Sequence, residues 1–220
     1  LRRLDVHVNF APVVDVNNNP DNPVINYRSF GEDALNVARK GTAYMKGLQE
    51  MGVMANAKHF PGHGDTDTDS HKALPIVMHD KDRLDSLELF PFRQLTNRGL
   101  SSMMVAHLYI PKLDSTPNLA STLSPAIVTD ILRNELRFNG LVFTDALNMN
   151  GVAKYWKPGE VDLKALLAGN DVLLFPEDVP VAVEMIKQAI ADGRLNQREV
   201  EAKCHKILMA KSWCGLGNRK

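Results

Sequence analysis

Five short strand-like runs, at Val6–Phe10, Val53–Ala57, Ser102–Ala106, Leu141–Phe143 and Val172–Phe175, are separated by stretches patterned for helices. Strands that alternate with helices are joined by crossovers, so parallel pairing is the expected arrangement and α/β the expected class. Residues Gly140 to Phe143 are all apolar or glycine, as a strand covered on both faces should be. Helix signals fall in the gaps. Ser124 precedes Pro125, a capping residue followed by proline at the first helical position, and Ile127, Val128, Ile131 and Leu132 form one apolar stripe before Gly140 ends the segment. Asn196 with Glu199 three residues on reads as a capping box for a final helix, in which Val200, Ile207 and Leu208 recur at helical spacing. No internal repeat, low-complexity tract or linker divides the chain, and residues 1–220 are expected to form one domain.

Chemistry concentrates in the block Lys58–His71, KHFPGHGDTDTDSH, which holds three histidines, three aspartates and two glycines. Lys58 is expected to end an apolar strand, and Pro61 with Gly62 forbids a regular helix directly afterwards, which places the histidines on a loop. Three readings compete. Metal binding suits imidazole and carboxylate ligands, but His59 and His63 lose a shared helical face to Pro61 and Gly62. Asp65, Asp67 and Asp69 begin like a calcium loop, yet Ser70 and Ile76 stand where that motif needs Gly and Glu. No metal site is expected. Acid/base catalysis suits Asp69-Ser70-His71, where a carboxylate two residues away could orient an imidazole that titrates near neutrality. The third reading is a polar loop that caps its own turns.

A second locus is Asn139–Met149, where a buried strand leads into Asp145. In a β/α barrel the carboxyl edge of the strands is the active face, while a helix cap or turn is the alternative role for such an aspartate.

Five segments together resemble glycoside hydrolase family 3, and within it the NagZ-type β-N-acetylglucosaminidase branch. They are Asn9–Val16 (NFAPVVDV), Arg28–Gly31 (RSFG), Lys58–His71, Met104–His107 (MVAH) and Leu141–Met149 (LVFTDALNM). The DSH ending of the long block is what selects the branch. The resemblance implies Asp145 as nucleophile and His71 as general acid/base partnered by Asp69, with Lys58, His59 and Arg28 binding the sugar. It also places Asp15, His63 and His107 near the sugar, each with a structural alternative. Many relatives carry a second aspartate directly after the nucleophile, where this chain has Ala146. The implied substrate is a saccharide with terminal β-linked N-acetylglucosamine, with cell-wall (peptidoglycan) fragments, chitin fragments and glycoprotein sugars as alternatives. Water is the expected acceptor and phosphate the alternative. A metal-dependent hydrolase on the same barrel type and a non-catalytic carbohydrate-binding relative are the rival functions.

The fold so implied is a (β/α)8 barrel. A closed barrel has eight units and usually about 250 residues, so the chain is expected to cover roughly the later five, with strands upstream of Leu1 and room for a further C-terminal domain in the full protein. The 26 basic and 26 acidic side chains cancel, which gives no electrostatic footprint for nucleic acid. No apolar run approaches the ~20 residues of a membrane span, and no signal peptide begins at Leu1. Cytoplasm and periplasm of a bacterium both remain open. Cys204 and Cys214 read as free thiols, and no cofactor is implied. The connection from His59 to about Lys81 exceeds an ordinary βα loop and is expected to act as a mobile lid.

Overall fold

The computed structural model describes residues 1–68 and 73–217. Its sheet is formed by β1 (Val8–Asn9), β2 (Met54–Phe60), β3 (Ser102–Val105), β4 (Leu141–Ala146) and β5 (Val172–Leu174), in sequential order. Every neighbouring pair is parallel. Such an order requires each connection to cross a face of the sheet, and helices fill the crossovers. They are α1 (Ala34–Glu50), α2 (Lys81–Ser86), α3 (Leu89–Thr96), a wide helix Ala126–Glu135, α4 (Asn150–Ala153) and α5 (Glu160–Ala168); α6 (Val179–Ala191) and α7 (Gln197–Trp213) follow β5. This is an α/β fold of the barrel type. The wide helix starts where Ser124 Oγ accepts from Ile127 N–H at 3.4 Å, and it ends with Leu136 N–H bonded five residues back to Ile131 at 2.9 Å.

The core lies between sheet and helices. Met45 of α1, Phe92 of α3, Val105 of β3, Leu132 of the wide helix and Val142 of β4 are buried in one cluster. Phe60, the last residue of β2, meets Phe92 edge to face at 5.4 Å between ring centres. Burying each such side chain contributes about 1.5–3 kcal/mol, so this layer outweighs any single cap. Caps instead fix where helices begin: Asp33 accepts from Asn36 N–H at 2.6 Å, and Asp178 from Val181 N–H at 3.1 Å.

Strand bounds differ from expectation in one consequential place. β2 runs on to Phe60, so Lys58 and His59 are strand residues, whereas Lys58 was expected to end the strand and His59 to lie on a loop. Tertiary pairing overrides the proline here. Lys58 N–H bonds Pro12 O at 3.1 Å, Val14 N–H bonds Lys58 O at 2.8 Å and Ala106 N–H bonds Phe60 O at 2.8 Å, so both flanks of the strand are paired. At α7, Asn196 caps through Arg198 N–H at 2.9 Å in place of the expected Glu199 partnership. Val200 and Ile207 pack inward as expected, but Leu208, one helical step round, is 61% exposed. Cys204 and Cys214 are free thiols. No helix among the described residues is long and apolar enough to cross a membrane.

Candidate active site

Register brings the polar residues of the motifs to one edge. Phe60 pairs with Val105, and Val105 with Thr144, so residues next to or just beyond these positions emerge together at the carboxyl ends of parallel strands. His59, His107 and Asp145 arrive there from three strands. Asp15 arrives from the segment after β1, which stays paired to β2 through Val13 and Lys58.

Asp15 is fully buried and is the hub of the site. Its Oδ1 accepts from His59 N–H at 3.1 Å and from His63 N–H at 2.7 Å, and its Oδ2 lies 2.7 Å from His59 Nδ1. Burial pushes the Asp15 carboxyl up, but attraction to His59, the hydrogen bond from it, and the charge and N–H of His63 outweigh that push and hold its pKa below the ordinary value. On its far side, His59 Nε2 is 3.4 Å from the Arg28 guanidinium. Arginine only donates, so Nε2 accepts and the ring proton sits on Nδ1, facing Asp15. His59 therefore relays a buried anion to a surface cation. Arg28 also donates to Val24 O at 3.1 Å.

His63 is buried, with Nδ1 2.6 Å from Thr66 Oγ1. Burial first, and the nearby His59 second, hold its pKa below the ordinary histidine value. Two glycines make this turn possible. At Gly64 a Cβ would lie 1.8 Å from Val16 O, and at Gly62, whose φ is +134°, it would lie 2.7 Å from Glu88 Cβ. Asn22 fastens the turn from outside, donating to His63 O at 2.8 Å. The RSFG turn is fastened likewise, through Ser29 Oγ donating to Asp15 O at 2.7 Å.

Asp145 occupies the next-to-last position of β4 and is partly buried. Burial pushes its carboxyl up, but His107, His59, the Ala146 N–H at 2.8 Å and Lys58 together hold its pKa below the usual carboxylate value. Lys58 shows the opposite imbalance. Burial and the neighbouring Arg28 charge depress its pKa, and Asp145 and Asp15 only partly restore it. His107 is fully buried, with Nδ1 2.7 Å from Thr122 Oγ1 and Nε2 2.9 Å from Ala146 O.

The structure thus gathers Asp15, Arg28, Lys58, His59, His63, His107 and Asp145, two carboxylates beside cationic and imidazole groups. Asp69 and His71 lie outside the described residues. Asn22, Thr66 and Thr122 belong to the same network and were not anticipated. Asn22 and Thr122 stand in no recognised motif, and all three reveal themselves only by burial with specific partners.

The profile described as "Glycosyl hydrolase family 3 N terminal domain" matches residues 1–210. Beta-hexosaminidase A of Pseudoalteromonas piscicida is 36% identical over 231 residues, covering 96% of this chain and 39% of that protein. Among solved structures, the glycoside hydrolase family 3 beta-N-acetylglucosaminidase of Paenibacillus sp. str. FPU-7 is 42% identical with a TM-score of 0.94, over 98% of this chain and 41% of that one. Beta-glucoside phosphorylase BglX superposes with a TM-score of 0.92 at 26% identity, over 98% of this chain and 40% of that one. The chain accordingly spans well under half the length of each of these relatives, and its match to the domain profile runs almost from end to end. It belongs to glycosyl hydrolase family 3.

Proposed function

We propose that the chain supplies the catalytic barrel of a retaining exo-glycosidase that removes terminal β-linked N-acetylglucosamine. The observation that carries this reading is Asp145, a carboxylate kept ionised at the carboxyl edge of β4 beside Lys58 and His59. The names of the relatives, a hexosaminidase and an N-acetylglucosaminidase, support the sugar. The five sequential parallel strands fit the later units of an eight-unit barrel.

In this reading Asp145 attacks the anomeric carbon and forms a glycosyl ester while the bond to the leaving oxygen breaks. His71, oriented by Asp69, gives that oxygen a proton. His71 then takes a proton from water as the water opens the ester, which restores the carboxylate and retains the configuration. Lys58 and Arg28 hold sugar hydroxyls, and His59 fixes Arg28 against Asp15. Asp15 and His107 are read as supports in place of direct sugar ligands, because both are fully buried and held by protein partners. Cell-wall fragments are one natural source of the substrate.

Incubating the complete protein with a slow fluorinated N-acetylglucosaminyl donor, then mapping the added mass, tests the reading. A label on Asp145 supports it. Turnover without a label on Asp145 means a different sugar or a different mechanism. Labelling and turnover both absent favour a non-catalytic sugar-binding relative. N-acetylglucosamine 1-phosphate formed in phosphate buffer makes phosphate the acceptor, and loss of turnover on chelation together with no label on Asp145 favours a metal-dependent hydrolase.

A further inference from the structure

A second cluster of ionisable side chains stands apart from Asp15 and Asp145. Asp65, just beyond the paired glycines, and His79, two residues before α2, meet Glu88 at the start of α3. His79 Nε2 and Asp65 Oδ2 are hydrogen-bonded. One ligand-capable atom from each of the three residues lies within 4.8 Å of those of the other two.

Glu88 is the unusual member. It is 1% exposed, and although Oε2 accepts from Arg83 at 2.8 Å, Oε1 is buried with no hydrogen-bond partner. A buried acceptor left without a donor costs about 1–3 kcal/mol, and more when charged. The surroundings are shaped to admit this side chain, since only glycine at position 62 leaves space for Glu88 Cβ and Cγ. The Asp65 and His79 side chains are 28% and 29% exposed, so solvent reaches the cluster from one side.

We propose that Asp65, His79 and Glu88 form a binding site for a divalent transition-metal ion of the zinc type, separate from the hydrolytic centre. One imidazole nitrogen with two carboxylate oxygens is a borderline donor set, which suits zinc better than calcium or magnesium. Ligand atoms about 2.0–2.2 Å from a tetrahedral zinc stand roughly 3.3 Å apart, a small adjustment of the present cluster. Water on the open side completes the shell. Binding converts His79 Nε2 from donor to ligand, with the ring proton on Nδ1, and gives Glu88 Oε1 the cation it lacks. Arg83 stays on Oε2 and orients the carboxylate. The ligands lie 14 and 9 residues apart along the chain (79 − 65 and 88 − 79), so no short motif announces them.

Such an ion would fasten the turn after β2 to the start of α3. It would also tie together the two ends of segment 66–78, which in sequence contains Asp69 and His71. The site does not depend on the activity proposed above.

The test uses the complete protein stripped with a chelator, then titrated calorimetrically with zinc chloride, with bound metal counted by mass spectrometry. One equivalent should bind and raise the melting temperature by several degrees. His79→Gln and Glu88→Gln, with folding checked by circular dichroism, should each weaken binding at least tenfold and abolish the rise. Asp145→Asn should leave both unchanged. If Glu88→Gln fails to fold, the more exposed His79→Gln decides alone. No binding, binding unaltered in the folded variants, or loss in Asp145→Asn but not in His79→Gln would each overturn the proposal.

Discussion

His107 donates from Nε2 to the carbonyl oxygen of Ala146 at 2.9 Å, and Ala146 is the residue directly after Asp145. A carbonyl only accepts, so Nε2 carries a proton. Nδ1 faces Thr122 Oγ1 at 2.7 Å, and that hydroxyl also lies 2.5 Å from Ala106 O. One hydroxyl proton cannot serve both acceptors. His107 is thus placed to hold the backbone of the proposed nucleophile and to keep its carboxyl ionised, and it heads the neighbours that pull the Asp145 pKa down.

His107→Gln keeps a donor for Ala146 but removes any ring charge. The Asp145 pKa should then rise, moving the acidic limb of kcat/KM to higher pH along with a roughly 10- to 100-fold fall in kcat. A pH–rate profile of the complete enzyme checks both. A fall in kcat with an unmoved acidic limb would leave His107 a packing role only.

His71→Ala should cost little with an activated aryl leaving group, which departs without a proton, and about 10²–10⁴-fold with a natural sugar aglycone. Paired kcat/KM measurements on the two substrate types give the answer. Equal losses would contradict the acid role.

Lys58→Met is expected to separate binding from stability. Burial and the Arg28 charge penalise the protonated amine, so its folded pKa lies below its unfolded one. The sign is therefore unfavourable at neutral pH: the folded state binds this proton more weakly, and the penalty fades only as pH rises through the folded pKa toward 10.5. Removing the charge should stabilise the protein by about 0.5–2 kcal/mol while sugar affinity is lost. Denaturant melts beside KM values would show it, and a destabilised variant would mean that the Asp145 and Asp15 attractions dominate.

How much of this was legible beforehand follows from which forces are local. The βα alternation and the acid at the end of β4 are written in hydrophobic runs, and both appear in the fold. The strand was expected to end at Lys58, short of its true end at Phe60, because Pro61 is a local signal, whereas the pairing of Pro12 and Val14 with Lys58 is tertiary. The same limit hid the Thr122 link to His107 and the meeting of Asp65, His79 and Glu88. Each joins segments whose proximity only the folded sheet creates. The clustering of Asp15 with His59 was foreshadowed by family-like segments, but the tautomer and the two backbone N–H bonds were not.

Asp15 makes the sharpest stability prediction. Three donors from β2 and the following turn converge on its carboxylate in a fully buried position. Asn in its place keeps one acceptor and turns an amide toward donors, leaving at least one N–H unpaired, which should cost about 2–4 kcal/mol. The charge also sets a pH window. Because the folded pKa lies below the unfolded value near 3.8, Asp15 contributes its full stability above that value and loses it as pH falls through the folded pKa. Urea midpoints measured from pH 6 down to pH 2 should decline in the wild type below about pH 4. The Asp15→Asn variant should start lower and decline less over the same interval. A variant whose midpoints run parallel to the wild type through this range would show that Asp15 does not carry the acid-labile part of the stability.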